Sequence, residues 1–301
     1  MISLVRRITA ACALSAALTA VAACGTTQAS GARHPSPAAG HPAPARSAAK
    51  PSAGAEPSAA APSAPPTLAP GPGGLTPVFA NGPRTKGKIV ALTFDADMTA
   101  DEGPRAAAGE HFDNPALIAT LRALKVPATV FMTGRWAVQY PDEARSIGND
   151  PLFELANHSY SHYSFTGDCY GLPTVAPDRM RSDVENADAA FRKAGVRHVM
   201  PYFRFPGGCY DDKALRTLGG LGVTAVQWDV VSGDAFATDA DAVTRQVLNG
   251  VRPGSVVIMH CTRSAAPTTE RVVRAVVPKL RREGYRFVKV SDMIRATTGR
   301  S

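Results

Sequence analysis

Short apolar runs alternate with amphipathic stretches through the C-terminal two thirds of the chain. The run KIVALTF, residues 88–94, predicts a buried strand. Six further runs have the same character: residues 127–132, 152–156, 202–205, 223–228, 255–260 and 285–288. Apolar residues spaced by three and four predict helices over 178–194 and 269–282. This alternation predicts an α/β fold, a parallel sheet closed or nearly closed into a barrel.

The first 23 residues have a different pattern, with a basic pair followed by an apolar run of small residues and leucines. The run is short and rich in alanine, which is typical of an export signal rather than a membrane span. It ends in VAAC, which resembles the lipobox of bacterial lipoproteins. We therefore expect lipid on Cys24 and a location at the outer face of the cytoplasmic membrane. Ordinary cleavage and secretion is the alternative, and the basic pair does not distinguish Sec from Tat export.

Residues 24–76 consist mostly of Ala, Pro, Ser and Gly. Such a segment buries too little apolar surface to offset its ordering entropy, so we expect a disordered tether. As a random coil, about fifty residues average roughly 40 Å from end to end. One α/β domain, residues 77–296, and a tail, residues 297–301, complete the predicted organisation.

The chain carries a formal net charge of +8, and its C-terminal part is rich in arginine. An anionic wall polymer or lipid headgroups are partners that this charge suits. The basic residues over 271–286 alternate with apolar ones at helical spacing, however, so a solvated helix face also explains them. Nucleic acid is not expected as a partner of an exported chain.

Polar clusters follow several of the predicted strands. Asp95 and Asp97 point to the same side if the backbone stays extended, and two such carboxylates repel each other without a cation or proton between them. Four other strands end at NHSYSH (157–162), RFPGG (204–208), WDVVSGD (228–234) and VVIMH (256–260). Because the C-terminal ends of parallel strands share one rim, we expect these clusters to converge there.

These motifs, in this order, resemble those of the polysaccharide deacetylases with a NodB-homology domain, carbohydrate esterase family four. The resemblance runs from about residue 86 to residue 294. It implies a distorted (β/α) barrel of seven to eight parallel strands. It also implies hydrolysis of acetyl groups on a polysaccharide with a divalent metal, usually Zn²⁺, with Co²⁺ or Ni²⁺ as alternatives.

Carried over by position, the resemblance implies three metal ligands: Asp97, His158 and His162. One carboxylate and two imidazoles leave coordination positions open, as in catalytic zinc sites. The implied catalytic residues are four: Asp95 as base, His260 as acid, Arg204 orienting Asp95, and Asp234 holding Arg204 or tuning His260.

Three departures from the family pattern stand out. Ala96 separates two aspartates that are adjacent in most members, and Ala235 stands where a tryptophan is common. Val231 replaces a frequent aspartate, so Asp229 stays an alternative to Asp234 as the tuning carboxylate. The insertion 98–114 is expected to shape the cleft, with His111 as a loop residue rather than a fourth ligand.

Three cysteines lie in the predicted domain. Cys169 and Cys209 both follow rim motifs, and we expect a disulfide between them with Cys261 reduced. Pairing of Cys209 with Cys261 is the competing prediction, because Arg204 and His260 are expected to face one site.

The expected function is removal of N-acetyl, or O-acetyl, groups from a cell-wall or extracellular polysaccharide by a monomeric enzyme. Peptidoglycan or another polymer of N-acetylglucosamine is the expected substrate. The alternatives are a chitin or acetylxylan deacetylase, and a catalytically weak or inactive relative that binds surface glycan.

Overall fold

The structure, a computed structural model, describes residues 64–299. The predicted export signal, Cys24 and the greater part of the predicted tether lie outside the described residues. None of the helices between residues 64 and 299 has the length and apolar character needed to span a bilayer.

Nine strands, all parallel, form the sheet of the described domain: β1 (Val78–Phe79), β2 (Ile89–Ala96), β3 (Ala128–Met132), β4 (Phe153–Asn157), β5 (Val199–Phe203), β6 (Thr224–Val226), β7 (Val230–Val231), β8 (Ser255–His260) and β9 (Arg286–Phe287). Their order is β1-β6-β5-β4-β3-β2-β8-β7, and β9 pairs with β2. Among the described residues no ladder joins β1 to β7. The predicted parallel α/β fold is confirmed, as a curled half-barrel rather than a closed ring.

Helices connect the strands: α1 (Glu102–Ala107), α2 (Pro115–Ala123), α3 (Gly134–Gln139), α4 (Pro141–Gly148), α5 (Met180–Lys193), α6 (Asp212–Leu218), α7 (Ala240–Gly250), α8 (Thr269–Arg282) and α9 (Val290–Thr298). The two predicted helices correspond to α5 and α8. The predicted tail from residue 297 is wrong at its start, because α9 continues to Thr298.

Every residue of β2, β3 and β4 is buried, so these strands have helices or core on both faces. That double burial explains why they appear as continuous apolar runs in the sequence. The sequence analysis missed the two-residue strands β1 and β7, whereas β9, also of two residues, lies within the predicted run 285–288.

The predicted tether boundary at residue 76 is also wrong. The Leu68 backbone N–H donates to Thr224 Oγ1 at 3.0 Å, and the Tyr202 hydroxyl donates to the Pro66 carbonyl at 2.8 Å. Thr76 is buried, and its N–H donates to the Leu215 carbonyl at 3.2 Å. A few apolar and backbone contacts hold this segment to the domain despite its proline-rich composition.

Candidate active site

The C-terminal ends of the strands bring the predicted residues together, as the topology requires. Asp95 near the end of β2 lies directly opposite His260 at the end of β8. Six of the seven predicted side chains line one cavity of about 540 Å³: Asp95, Asp97, His158, His162, Asp234 and His260. The seventh, Arg204, is fully buried and contacts Asp95.

The NHSYSH turn after β4 aims both histidines at the cavity. Ser159 and His162 have left-handed backbone, with φ of 70° and 58°, which side chains must stabilise. The Ser159 N–H donates to Asn157 Oδ1 at 2.8 Å, and the His162 N–H donates to Ser159 Oγ at 3.0 Å. The serine and asparagine are therefore part of the site architecture.

Asp183 on α5 supports the same turn from outside. Its Oδ2 accepts the backbone N–H groups of Tyr160 at 2.9 Å and Ser161 at 3.3 Å. Its carboxylate is buried, and no motif in the sequence indicates its role. The sequence analysis treated α5 only as a packing helix and missed this residue.

His158 is held in one tautomer. Its Nδ1 lies 2.8 Å from the Arg204 carbonyl, which accepts only, so Nδ1 carries the proton. Burial lowers the pKa of His158 to about 4, so the ring is neutral at pH 7. Its Nε2 lone pair then faces Asp95 Oδ2 at 3.5 Å. Neither atom carries a proton, so each has a lone pair free to bind a cation placed between them.

Asp97 and His162 form the second carboxylate–imidazole pair, with 3.5 Å between Asp97 Oδ2 and His162 Nε2. The other Asp97 oxygen accepts from the Thr262 hydroxyl. Burial acts to raise the pKa of Asp97, but the facing imidazoles of His162 and His260 and the Thr262 hydrogen bond lower it overall. Asp97 is therefore a carboxylate at neutral pH.

The His158 and His162 rings lie 5.0 Å apart between centroids, so both pairs border the same space. Neutral imidazole and carboxylate oxygen are ligands that suit zinc. Within residues 64–299, no three His, Cys, Asp or Glu side chains are already gathered in a metal-holding arrangement. The residues present fit a metal by their chemistry, and the ligand set is a proposal.

Asp95 is fixed from behind by Arg204. The Arg204 Nη1 donates to Asp95 Oδ1 at 2.7 Å, and Nε donates to the Val226 carbonyl at 3.2 Å. The guanidinium also lies 3.9 Å from the centroid of the Phe131 ring. Burial lowers the pKa of Arg204, and the Asp95 carboxylate opposes that effect. This contact orients Asp95 with its second oxygen toward the cavity.

Asp234 hydrogen-bonds to His260 and not to Arg204. Its Oδ1 lies 2.9 Å from His260 Nδ1, and its Oδ2 accepts the His260 backbone N–H at 2.7 Å. The hydroxyls of Ser232 and Thr269 donate to the same carboxylate at 2.8 and 2.7 Å. The prediction that Asp234 holds Arg204 is therefore wrong, because the oxygens of Asp234 are used elsewhere.

The pKa of His260 follows from that contact. Burial lowers it, but the hydrogen bond and charge of Asp234 outweigh burial and raise it to about 9. His260 is thus protonated at neutral pH and has a proton to donate. Asp229 has other partners, an ion pair of 2.7 Å with Arg84 and the backbone N–H of Val256. Of the two carboxylates considered from the sequence, Asp234 is the one beside His260.

The chain is similar in sequence and structure to known proteins. The polysaccharide deacetylase family model matches residues 82–226. A chitooligosaccharide deacetylase from Sinorhizobium fredii is 30% identical, over 54% of this chain and 70% of the relative. The chain belongs to the polysaccharide deacetylase family. A peptidoglycan-N-acetylglucosamine deacetylase from Bacillus cereus is 28% identical, over 73% of both chains. The crystal structure of the Bc1960 peptidoglycan N-acetylglucosamine deacetylase is 26% identical with a TM-score of 0.60, covering 72% of this chain and 92% of that one.

In this member of the family, one disulfide of the described domain holds the wall of the cleft. Cys169 and Cys209 are bonded, with their Cα atoms 6.0 Å apart, and Cys261 is free and buried. The predicted pairing is confirmed, and the competing pairing of Cys209 with Cys261 is wrong. The disulfide joins the Tyr170 loop to the turn that follows Arg204.

The insertion 98–114 does shape the cleft. It contains α1, and Thr99 and Glu102 line the cavity. Burial raises the pKa of Glu102, with the nearby Asp97 charge adding to the effect. His111 does not line the cavity; its Nδ1 lies 2.9 Å from Asp113 Oδ1 in an exposed pair. His111 is a loop residue, as the sequence analysis predicted.

Proposed function

We propose that this chain is a metal-dependent hydrolase that removes N-acetyl groups from a polymer of N-acetylglucosamine, with peptidoglycan as the first candidate. One observation carries the proposal. A carboxylate fixed by a buried guanidinium, Asp95, and a protonated imidazole, His260, lie side by side on neighbouring strands and line a cavity that two more imidazoles also line. A base and an acid with opposite protonation states are what amide hydrolysis requires.

Asp97, His158 and His162 would hold the metal. When bound, a divalent cation lowers the pKa of water and polarises the acetyl carbonyl. Asp95 accepts the proton of the attacking water, since Arg204 keeps its second oxygen directed into the cavity. His260 donates its proton to the departing sugar nitrogen, and Asp234 stabilises the imidazolium before that step.

A sugar polymer suits the walls of this cavity. Tyr170 and Phe236 are 88% and 84% exposed, and both line the cavity together with Trp228. Exposed aromatic rings beside a cleft offer apolar faces on which sugar rings stack. The names of the relatives, chitooligosaccharide and peptidoglycan deacetylases, favour N-acetylglucosamine as the sugar. Acetylxylan, which carries O-acetyl groups, is the second candidate.

Acetate release tests the proposal. Peptidoglycan, chitin oligomers and acetylxylan are incubated with the protein, with and without a chelator. We expect acetate from the N-acetylated polymers, with loss of release after chelation and recovery when zinc is returned. Binding to the polymers without acetate release from any of them would overturn the proposal, in favour of a glycan-binding relative without activity.

We also propose that the protein is a lipoprotein of the outer face of the cytoplasmic membrane, with Cys24 lipidated. The VAAC motif followed by an Ala/Pro/Ser-rich segment supports this. Fractionation of cells expressing Cys24→Ala checks it. The wild type should sediment with membranes and the variant should not, and equal solubility of the two would contradict the anchor. Cys261→Ala is the control, because that thiol is buried in the domain.

A further inference from the structure

We propose that the end of the domain opposite the catalytic cavity is a docking surface for anionic phospholipid headgroups. In a parallel sheet the N-terminal strand ends lie away from the C-terminal ends, so this surface and the cavity are on opposite ends of the domain. The proposal goes beyond hydrolysis, since it concerns residues that the reaction does not use.

Six exposed basic residues define this basic end: Lys86, Lys125, Arg197, Arg252, Arg282 and Arg286. Four of them lie between an element and the strand that follows it, Arg282 is the last residue of α8, and Arg286 is the first residue of β9. Such positions place them beside the N-terminal ends of β2, β3, β5, β8 and β9. Only Arg282 lies in the last turn of a helix, so complementing helix dipoles does not explain the other five.

Four of the six surround the start of β2. The Arg286 N–H donates to the Lys88 carbonyl at 2.8 Å, and the Arg281 side chain at the end of α8 donates to the Lys125 carbonyl at 3.2 Å. The Gly254 N–H, two residues after Arg252, donates to the Ile89 carbonyl at 2.7 Å. These contacts place Lys125, Arg252, Arg282 and Arg286 around the start of β2.

The six side chains that define the basic end lack a close carboxylate partner. Within residues 64–299, none of the six side chains has a carboxylate oxygen within 4.0 Å. Two other arginines at this end are paired, Arg84 with Asp229 and Arg122 with Asp150. Unpaired cations on one face attract a surface of negative charge, over about 8–10 Å at physiological salt.

The place where the N-terminal segment joins the domain favours lipid over a soluble polyanion as the partner. Pro66 and Leu68 contact Tyr202 and Thr224, and Leu68 also packs against the core cluster that contains Ile89, at the N-terminal end of β2, and Val290, at the start of α9. The segment that leads from Cys24 therefore joins the domain at the basic end. With Cys24 in the membrane, as proposed above, this end would meet the headgroups and the cavity would face away from the lipid, toward wall polymer.

Vesicle binding by the purified full-length chain tests the proposal. The test variant carries Lys125→Gln, Arg252→Gln, Arg282→Gln and Arg286→Gln. The control variant makes the same change in net charge elsewhere, with Lys213→Gln, Arg216→Gln, Arg245→Gln and Arg271→Gln. Sedimentation is measured with phosphatidylcholine vesicles and with vesicles that also contain phosphatidylglycerol.

We expect the preference for phosphatidylglycerol vesicles to fall by at least about tenfold in the test variant and by less than about twofold in the control. Salt at about 0.5 M should remove the preference of the wild type. Equal losses in the two variants, or no preference in the wild type, would overturn the proposal. Binding to soluble poly(glycerol phosphate) without vesicle binding would also overturn it, in favour of a polymer partner. Acetate release from soluble oligomers, measured on the same proteins, reports the proposed hydrolysis separately.

Discussion

Asp95→Asn is expected to lower turnover by about two to four orders of magnitude while the protein keeps its metal, because a positioned general base contributes that much. Asp97→Ala is expected to lose most of the bound zinc, and activity with it. The two aspartates have different hydrogen-bond partners. Asp95 is held by the guanidinium of Arg204, whereas Asp97 is held by a neutral hydroxyl, that of Thr262. Metal content by elemental analysis and acetate release are measured on the same preparations.

The fold must be checked in the Asp95 variant, because Arg204 is fully buried and loses its counter-ion. The asparagine oxygen still accepts the Arg204 hydrogen bond, and a thermal melt shows whether that suffices. Asp95→Glu, which keeps the charge, provides a second variant with the ion pair intact and the oxygen displaced. Loss of zinc in Asp95→Asn with retention in Asp97→Ala would reverse the assignment. If the metal content is unchanged in both variants, neither aspartate is a metal ligand.

Strand ends were predictable because double burial produces long apolar runs and parallel strands share one rim. The run 255–260 and the helix 269–282 match β8 and α8 in both bounds. The convergence of Asp95, Arg204 and His260 followed from the same topology. The two-residue strands β1 and β7 were missed, whereas β9, of the same length, was found because it lies within the apolar run 285–288.

The partners of the site residues were not predictable, because each comes from a distant segment. Thr262 and Asp97 are 165 residues apart, and Thr269 and Asp234 are 35 apart. A hydroxyl or carboxylate of this kind has no spacing signal, as Asp183 shows. The sequence also did not show whether Asp229 or Asp234 contacts His260. Only the fold shows that Asp234 lies beside His260 and that Asp229 pairs with Arg84.

His260→Ala is expected to lower turnover by about two to four orders of magnitude, and Asp234→Asn to move the alkaline limb of the pH profile toward lower pH. An acid must be protonated to act. The pKa of His260, raised to about 9, therefore predicts activity that declines as pH rises through about 9. Without the Asp234 charge, burial is opposed only by the charges of Asp97 and Asp95, so the pKa of His260 falls and the decline begins at lower pH.

The profiles of kcat/KM against pH are compared at equal metal content, so that the charge of the cation affects both proteins alike. Asp229→Asn is the matched control, an aspartate from the same segment that pairs with Arg84 and not with His260. It should leave the alkaline limb in place. A limb that does not move in Asp234→Asn would show that His260 is not the group that titrates. A large loss at all pH values without a shift would mean that Asp234 positions the imidazole and does not tune it, because a lost orientation lowers the rate of both protonation states together.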